Sequence, residues 1–148
     1  MAHHYTELLV AYILLPFVYG NYPPNGTYLY EERSKAGYFG VQYGITFPYD
    51  KPHMVTMYID SWNTTGLDGE FPLTDSHIPE GCSLDLRDHT YSQLWKKLST
   101  SIAEGARYGG RNMNKGDLET LITETDSQGE PYIELTFNTT KLHLKKVD

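Results

Sequence analysis

Cysteine is nearly missing from this chain of 148 residues: Cys82 stands alone. No intramolecular disulfide can form, and a four-cysteine zinc site is excluded. A lone cysteine reads as a small buried hydrophobe, because nothing near it in sequence would lower the thiol pKa and make it a nucleophile. Basic charge is also scarce. Twelve Lys and Arg face nineteen Asp and Glu, for a net charge of −7. Polyanion binding draws its affinity from cations set against phosphates. The balance therefore argues against nucleic acid and against an anionic membrane as partners, and the acidity reads as solubility. No cofactor fingerprint occurs: there is no G-x-G-x-x-G, G-x-x-x-x-G-K-[ST], H-E-x-x-H, C-x-x-C or G-x-S-x-G. No cofactor or metal is expected.

Long apolar runs are missing as well. The longest, Leu8 to Tyr19, is nearly continuous but short of the roughly 20 residues that span a bilayer as a helix. Residues 1–20 read as a strand buried on both faces and interrupted at Pro16. The alternative is a signal-peptide core, although His3, His4 and Glu7 stand where a basic flank belongs. The sequons at Asn25, Asn63 and Asn138 are candidate glycosylation sites if the chain enters a secretory route. They tilt the expected setting from cytoplasmic toward extracellular or virion-exposed.

What the chain has in quantity is tyrosine, thirteen in all. Its ring supplies apolar area while its hydroxyl stays wet, which suits strands and contact surfaces. Residues 27–32 read as a short strand. In 38–47, Phe39, Val41, Tyr43, Ile45 and Phe47 alternate with Tyr38, Gly40, Gln42, Gly44 and Thr46. In 53–60, Val55, Met57 and Ile59 alternate with Met54, Thr56, Tyr58 and Asp60. The period of two, with a turn between the runs, predicts a β-hairpin. Residues 118–125, 132–138 and 141–147 read as further strands. Lysines on the last of them suit an exposed sheet edge. Ser61 to Arg87 lacks a sustained period and holds Gly66, Gly69, Pro72, Pro79 and Gly81. It reads as a long acidic loop with at most a short strand near Phe71 to Leu73.

One helix is expected near 90–107. Tyr91, Leu94, Trp95, Leu98, Ile102 and Ala106 form an apolar stripe at helical spacing. Thr90 and Gln93 make a capping-box pattern, and Gly109 and Gly110 end it. Strands, loop, helix and strands in that order predict one α+β domain over 1–148. Its mainly antiparallel sheet would be curled or barrel-like, with about six or seven strands.

Four groups of residues are candidates for chemistry. The acidic residues between Asp60 and Asp88 match no calcium-loop spacing and read as solvated. His53, His77, His89 and His143 read as surface or capping residues; if the chain is an enzyme, His77, His89, Asp60 and Asp85 are the candidate acid and base groups. Gly105 to Lys115 is basic and glycine-rich but follows a helix, and anions bind helix N-termini, so it reads as a C-cap. The fourth group is the strand face of Tyr38, Gly40, Gln42, Gly44 and Thr46, faced by Tyr58 from the partner strand, with Tyr49 and Trp62 at the hairpin ends. Glycine inside a strand often marks close approach of a ligand or backbone; the plainer reading is a sheet twist or barrel corner whose aromatics are ordinary core.

The expectation is a non-enzymatic binding or interaction protein. It would contact a protein, carbohydrate or small-molecule ligand through that face and the acidic loop, and a homo-oligomer is admitted. A small barrel-like isomerase, cyclase or hydrolase is the alternative. A membrane-active domain inserting Trp62, Tyr49 and the N-terminal run is the second.

Overall fold

The computed structural model describes residues 22–33, 39–61, 64–108 and 110–148. Eight strands appear among them: β1 (Gly26–Arg33), β2 (Phe39–Phe47), β3 (Met54–Ser61), β4 (Thr64–Asp75), β5 (Gly81–Leu84), β6 (Thr120–Thr125), β7 (Pro131–Phe137) and β8 (Thr140–Lys146). Helix α1 (His89–Tyr108) lies between β5 and β6 in the chain. Each strand pairs antiparallel with the next, and β8 returns to β1, so the sheet closes into a barrel. The β-rich α+β class is as expected.

Two expectations are corrected. The strand number is eight rather than six or seven, and the extra strands come from the segment read as a loop. β4 alternates after all: Leu67, Gly69, Phe71 and Leu73 point inward, while Asp68, Glu70 and Thr74 point outward. The glycines and Pro72 disguise this. Gly69 has no side chain because its place is taken: a β-carbon there would fall 2.8 Å from Cε2 of Phe71 and 3.4 Å from Cδ2 of Leu94. Pro72 is tolerated because its nitrogen points away from β3. Its carbonyl accepts the Asp85 N–H at 2.7 Å from the other side. The second correction concerns β8, which is not a free edge along its whole length. It pairs with β7 over its whole length and with β1 through Tyr28↔Lys146 and Leu29↔Lys145.

The interior is packed with side chains, as the width of an eight-stranded barrel allows. Tyr28, Ile45, Val55, Phe71, Leu121, Ile133 and Leu144 are within 1% of complete burial. Tyr28 and Tyr43 belong to this core rather than to a contact surface. The Tyr28 hydroxyl donates to the Pro24 carbonyl at 2.9 Å, and burial pushes its pKa up to about 12. Cys82 is buried too. Desolvation pushes its thiol to about 12, so it is inert as a nucleophile.

The apolar stripe of α1 is buried at Trp95, Leu98, Ile102 and Ala106. The helix lies against the inner side of β4, where Trp95 meets Phe71 edge to face at 5.6 Å between ring centres. The Trp95 indole N–H donates to Glu119 at 2.9 Å. The N-cap is Asp88 rather than Thr90: its carboxylate accepts the Thr90 N–H at 2.8 Å. The C-terminus closes in a Schellman motif. Gly110, at φ +72°, donates to Arg107, and Arg111 N–H donates to the Ala106 carbonyl at 2.9 Å.

Asp117 escaped the sequence reading altogether. It is only 5% exposed, and its Oδ2 accepts backbone N–H groups from Asn114 (2.7 Å) and Asn138 (2.9 Å). Those bonds replace the water that burial removes. They also brace the β7–β8 turn. Asn138 and Thr139 both take positive φ, 47° and 63°, in a two-residue connection. That conformation suits asparagine but strains a β-branched threonine.

The helix docking is testable. Phe71→Ala is expected to lower the unfolding free energy by about 3–5 kcal/mol, whereas Tyr49→Ala, at a residue 80% exposed, should change it by about 0.5 kcal/mol or less. Urea denaturation of the two variants checks both.

Candidate functional site

Strand register places the candidate residues. On the outer surface of β1 to β4, Leu29, Gly44, Tyr58 and Asp68 stand side by side in one row. Glu31, Gln42 and Asp60 form the next row. The segment read as an acidic loop thus converges on the tyrosine–glycine face, because β4 is the strand next to β3. Asp68 and Gly66 join Gln42 and Tyr58 on one surface.

Tyr58 is the centre of that surface. Its ring runs diagonally from Gly44 to Gly66. A β-carbon at Gly44 would lie 3.5 Å from Cδ1 of Tyr58; one at Gly66 would lie 2.8 Å from the hydroxyl oxygen and 2.9 Å from Cε2. The two glycines clear a bed in which the ring lies against the sheet. The ring covers the sheet and keeps its outer side open, at 37% exposure. Gly44 is thereby explained by a neighbour within the chain; Gly66 was not singled out in the sequence. The feature that could have found it is the inward–outward alternation of β4, which puts Gly66 on the outer face.

Polar groups rim the ring. The Tyr58 hydroxyl makes a long hydrogen bond, 3.3 Å, to Oδ2 of Asp60. Partial desolvation, and after it the Asp60 carboxylate, raise the hydroxyl pKa, so it stays a neutral donor. The Gln42 amide donates to Glu31 at 3.0 Å. Glu70 is matched by Lys51 at 2.9 Å. Asp60 and Asp68 have no cationic partner among the described residues.

The other candidates are dispersed. Tyr49 is exposed in the β2–β3 connection. Tyr38, Trp62 and Asn63 lie outside the described residues, as does the segment 1–20. Asn25 is exposed just before β1, and Asn138 sits in the braced β7–β8 turn. Of the acid–base set, His77 is exposed in the β4–β5 turn, His89 opens α1, Asp60 is on the outside of β3, and Asp85 follows β5. Asp85 is held by a fork from Arg87, with Nε at 2.8 Å and Nη2 at 2.6 Å. The side-chain hydrogen bonds of Arg87, then its backbone N–H, lower the Asp85 pKa to about 2. A carboxylate that acidic is a poor general base at neutral pH. Arg111, the centre of the glycine-rich basic segment, is paired with Glu32 at 2.7 Å.

Two further features lie apart from that surface. Tyr22, Phe47, Pro48, His53 and Leu73 line a cleft of about 100 Å³ at one end of the barrel. Tyr22 packs edge to face on His53 at 4.3 Å. The volume is below the roughly 300 Å³ at which small-molecule sites begin. On the outside of β7 and β8, Glu134 receives Lys141 at 2.7 Å and His143 at 3.3 Å. Its carboxylate is already matched. No group of three or more metal-ligating side chains occurs among the described residues, and none of their helices is long and apolar enough to cross a membrane.

The Asp85 fork has a pH signature. Its folded pKa of about 2 lies below the ordinary 3.8, so its stabilisation is complete above about pH 4 and is lost as pH falls toward 2. Asp85→Asn should flatten the pH dependence of stability in that window and leave the profile above it unchanged, as read by urea unfolding at stepped pH. No protein-family model, no curated protein and no solved structure matches this chain.

Proposed function

We propose that this protein is a non-enzymatic binding module whose contact surface is the outer face of β2, β3 and β4, centred on Tyr58. The observation that carries the proposal is the bed of Gly44 and Gly66 under the Tyr58 ring. A ring held flat has already lost its rotamer freedom, so stacking a partner on it costs little further entropy. Tyrosine anchors of this kind are typical of recognition surfaces. Around the ring, Gln42 offers an amide, and Asp60 and Asp68 offer negative charge with no cationic partner among the described residues. That set suits a cationic side chain stacked on the ring, and equally the hydroxyls of a saccharide.

The acid–base alternative receives less support. Its four residues stand on four separate elements, and one of them is neutralised by Arg87. The extracellular or virion-exposed setting rests on the sequons, two of which, at Asn25 and Asn138, lie on turns or irregular segments.

Arrayed glycans and arrayed peptides, probed with the full chain, test the reading. Ligands retained by wild type should be lost with Tyr58→Ala, with affinity falling at least about tenfold. They should be kept with Tyr132→Ala on the opposite side of the barrel. Retention of all ligands by Tyr58→Ala would overturn the proposal.

A further inference from the structure

Beside the Tyr58 surface, one stretch of backbone has no partner among the described residues. β4 is twelve residues long, but β5 covers only Leu73, Thr74 and Asp75. The direction of the remaining groups follows from the bonds at the junction. Leu73 N–H donates to His53 on the β3 side, and the Pro72 carbonyl receives Asp85 from the other side, both at 2.7 Å. Odd-numbered residues of β4 therefore bond to β3, and even-numbered ones face away. The N–H and C=O groups of Gly66, Asp68 and Glu70 point outward from the sheet and have no backbone partner among the described residues.

Helix α1 does not take that place. It lies against the inner side of β4, where Leu94 and Trp95 meet the positions of Gly69 and Phe71. Gly66 is exposed, and because glycine is all backbone, that exposure belongs to the peptide groups themselves. Asp68 is exposed beside it. Five residues of strand, about 17 Å, thus form an open template.

We infer that this edge accepts an extended, basic segment of a partner protein as an additional strand. The inference rests on the binding-module reading and names the class of partner. Strand addition supplies affinity through main-chain hydrogen bonds and specificity through alternate side chains. Alternate side chains of the added strand would lie on the outer face, about 4.8 Å from the β4 row. There they meet Asp68, and across the gap left by Gly66 they reach Tyr58 and Asp60. Lysine or arginine fits that position by charge and by stacking on the ring. A second copy of this chain fits poorly. Two β4 edges related by a twofold axis through Asp68 would set Asp68 against Asp68, and like charges directly opposite repel.

The test uses a capped peptide of alternating Thr and Lys, about seven residues long. Its controls are the same peptide methylated on alternate amide nitrogens, and an alternating Thr and Glu peptide. The Lys peptide should slow hydrogen exchange at the Gly66, Asp68 and Glu70 amides in the full chain; the methylated and acidic peptides should not. Asp68→Asn, which keeps the N–H, should weaken binding only a few fold. Asp68→Pro, which removes the N–H from a position of the same parity as Pro72, should weaken it about tenfold more. Melting temperature checks that each variant is folded. Equal binding of the methylated peptide, equal affinity of the two Asp68 variants, or protection elsewhere in the chain would overturn strand addition. So would concentration-dependent protection of the three amides without peptide, which would make the occupant a second copy. A ligand that depends on Tyr58 but leaves the three amides unprotected defeats this inference alone. Ligands that all ignore Tyr58→Ala defeat the surface reading beneath it.

Discussion

β4 runs for twelve residues and β5 for four, and the barrel has to close across that inequality. Backbone amides and carbonyls must be paired or wetted, and the inward side chains of β4 must be covered. β5 satisfies only the end of β4 nearest their turn. Over the rest, α1 covers the inner side, with Trp95 and Leu94 set against Phe71 and the vacant position of Gly69. A longer β5 would have removed the free edge. A shorter α1 would have exposed Phe71. The amphipathic stripe of the helix, its burial, and the open backbone at Gly66, Asp68 and Glu70 all answer the same mismatch.

The same division separates what was legible in the sequence from what was not. Strands with unbroken alternation, such as Tyr43–Ile45–Phe47 and Val55–Met57–Ile59, announce themselves because every inward position is apolar. The helix does so for the same reason at a different period. β4 was obscured because Gly69 is inward and empty, Gly66 outward and empty, and Pro72 sits where proline normally forbids a strand. Each exception has a tertiary cause: the Phe71 ring, the Tyr58 ring, and a nitrogen that faces away from β3. None of these causes is local, so no window of sequence contains them. The lysines of β8 misled in a related way. They keep the outer surface wet, as edge lysines do, but closure with β1 is a long-range fact. Asp117 was illegible because its partners are backbone N–H groups, which every residue carries.

Acidity and aromaticity divide by surface rather than by segment. Among the described residues, Tyr28, Tyr43, Phe47, Phe71, Trp95 and Phe137 are buried in the barrel and against its helix. Tyr58 is a ring kept outside, and it is kept there by the absence of two side chains. The unmatched carboxylates nearest to it, Asp60 and Asp68, lie on the same face because β3 and β4 are paired in a register that brings Asp68 beside Tyr58. A one-residue slip of that register would send Asp68 inward and Phe71 outward, so the packing of Phe71 also secures the charge pattern of the surface.

The ladder between β1 and β8 is two residues long, and it is lengthened at its end by Asp148, whose carboxylate accepts the Thr27 N–H at 2.6 Å across 121 residues of chain. During synthesis, therefore, the first strand waits with one side open until residues 140–148 have cleared the ribosome. The barrel cannot close before then. Until then β1 offers nascent chains the same kind of open backbone that β4 presents at Gly66, Asp68 and Glu70.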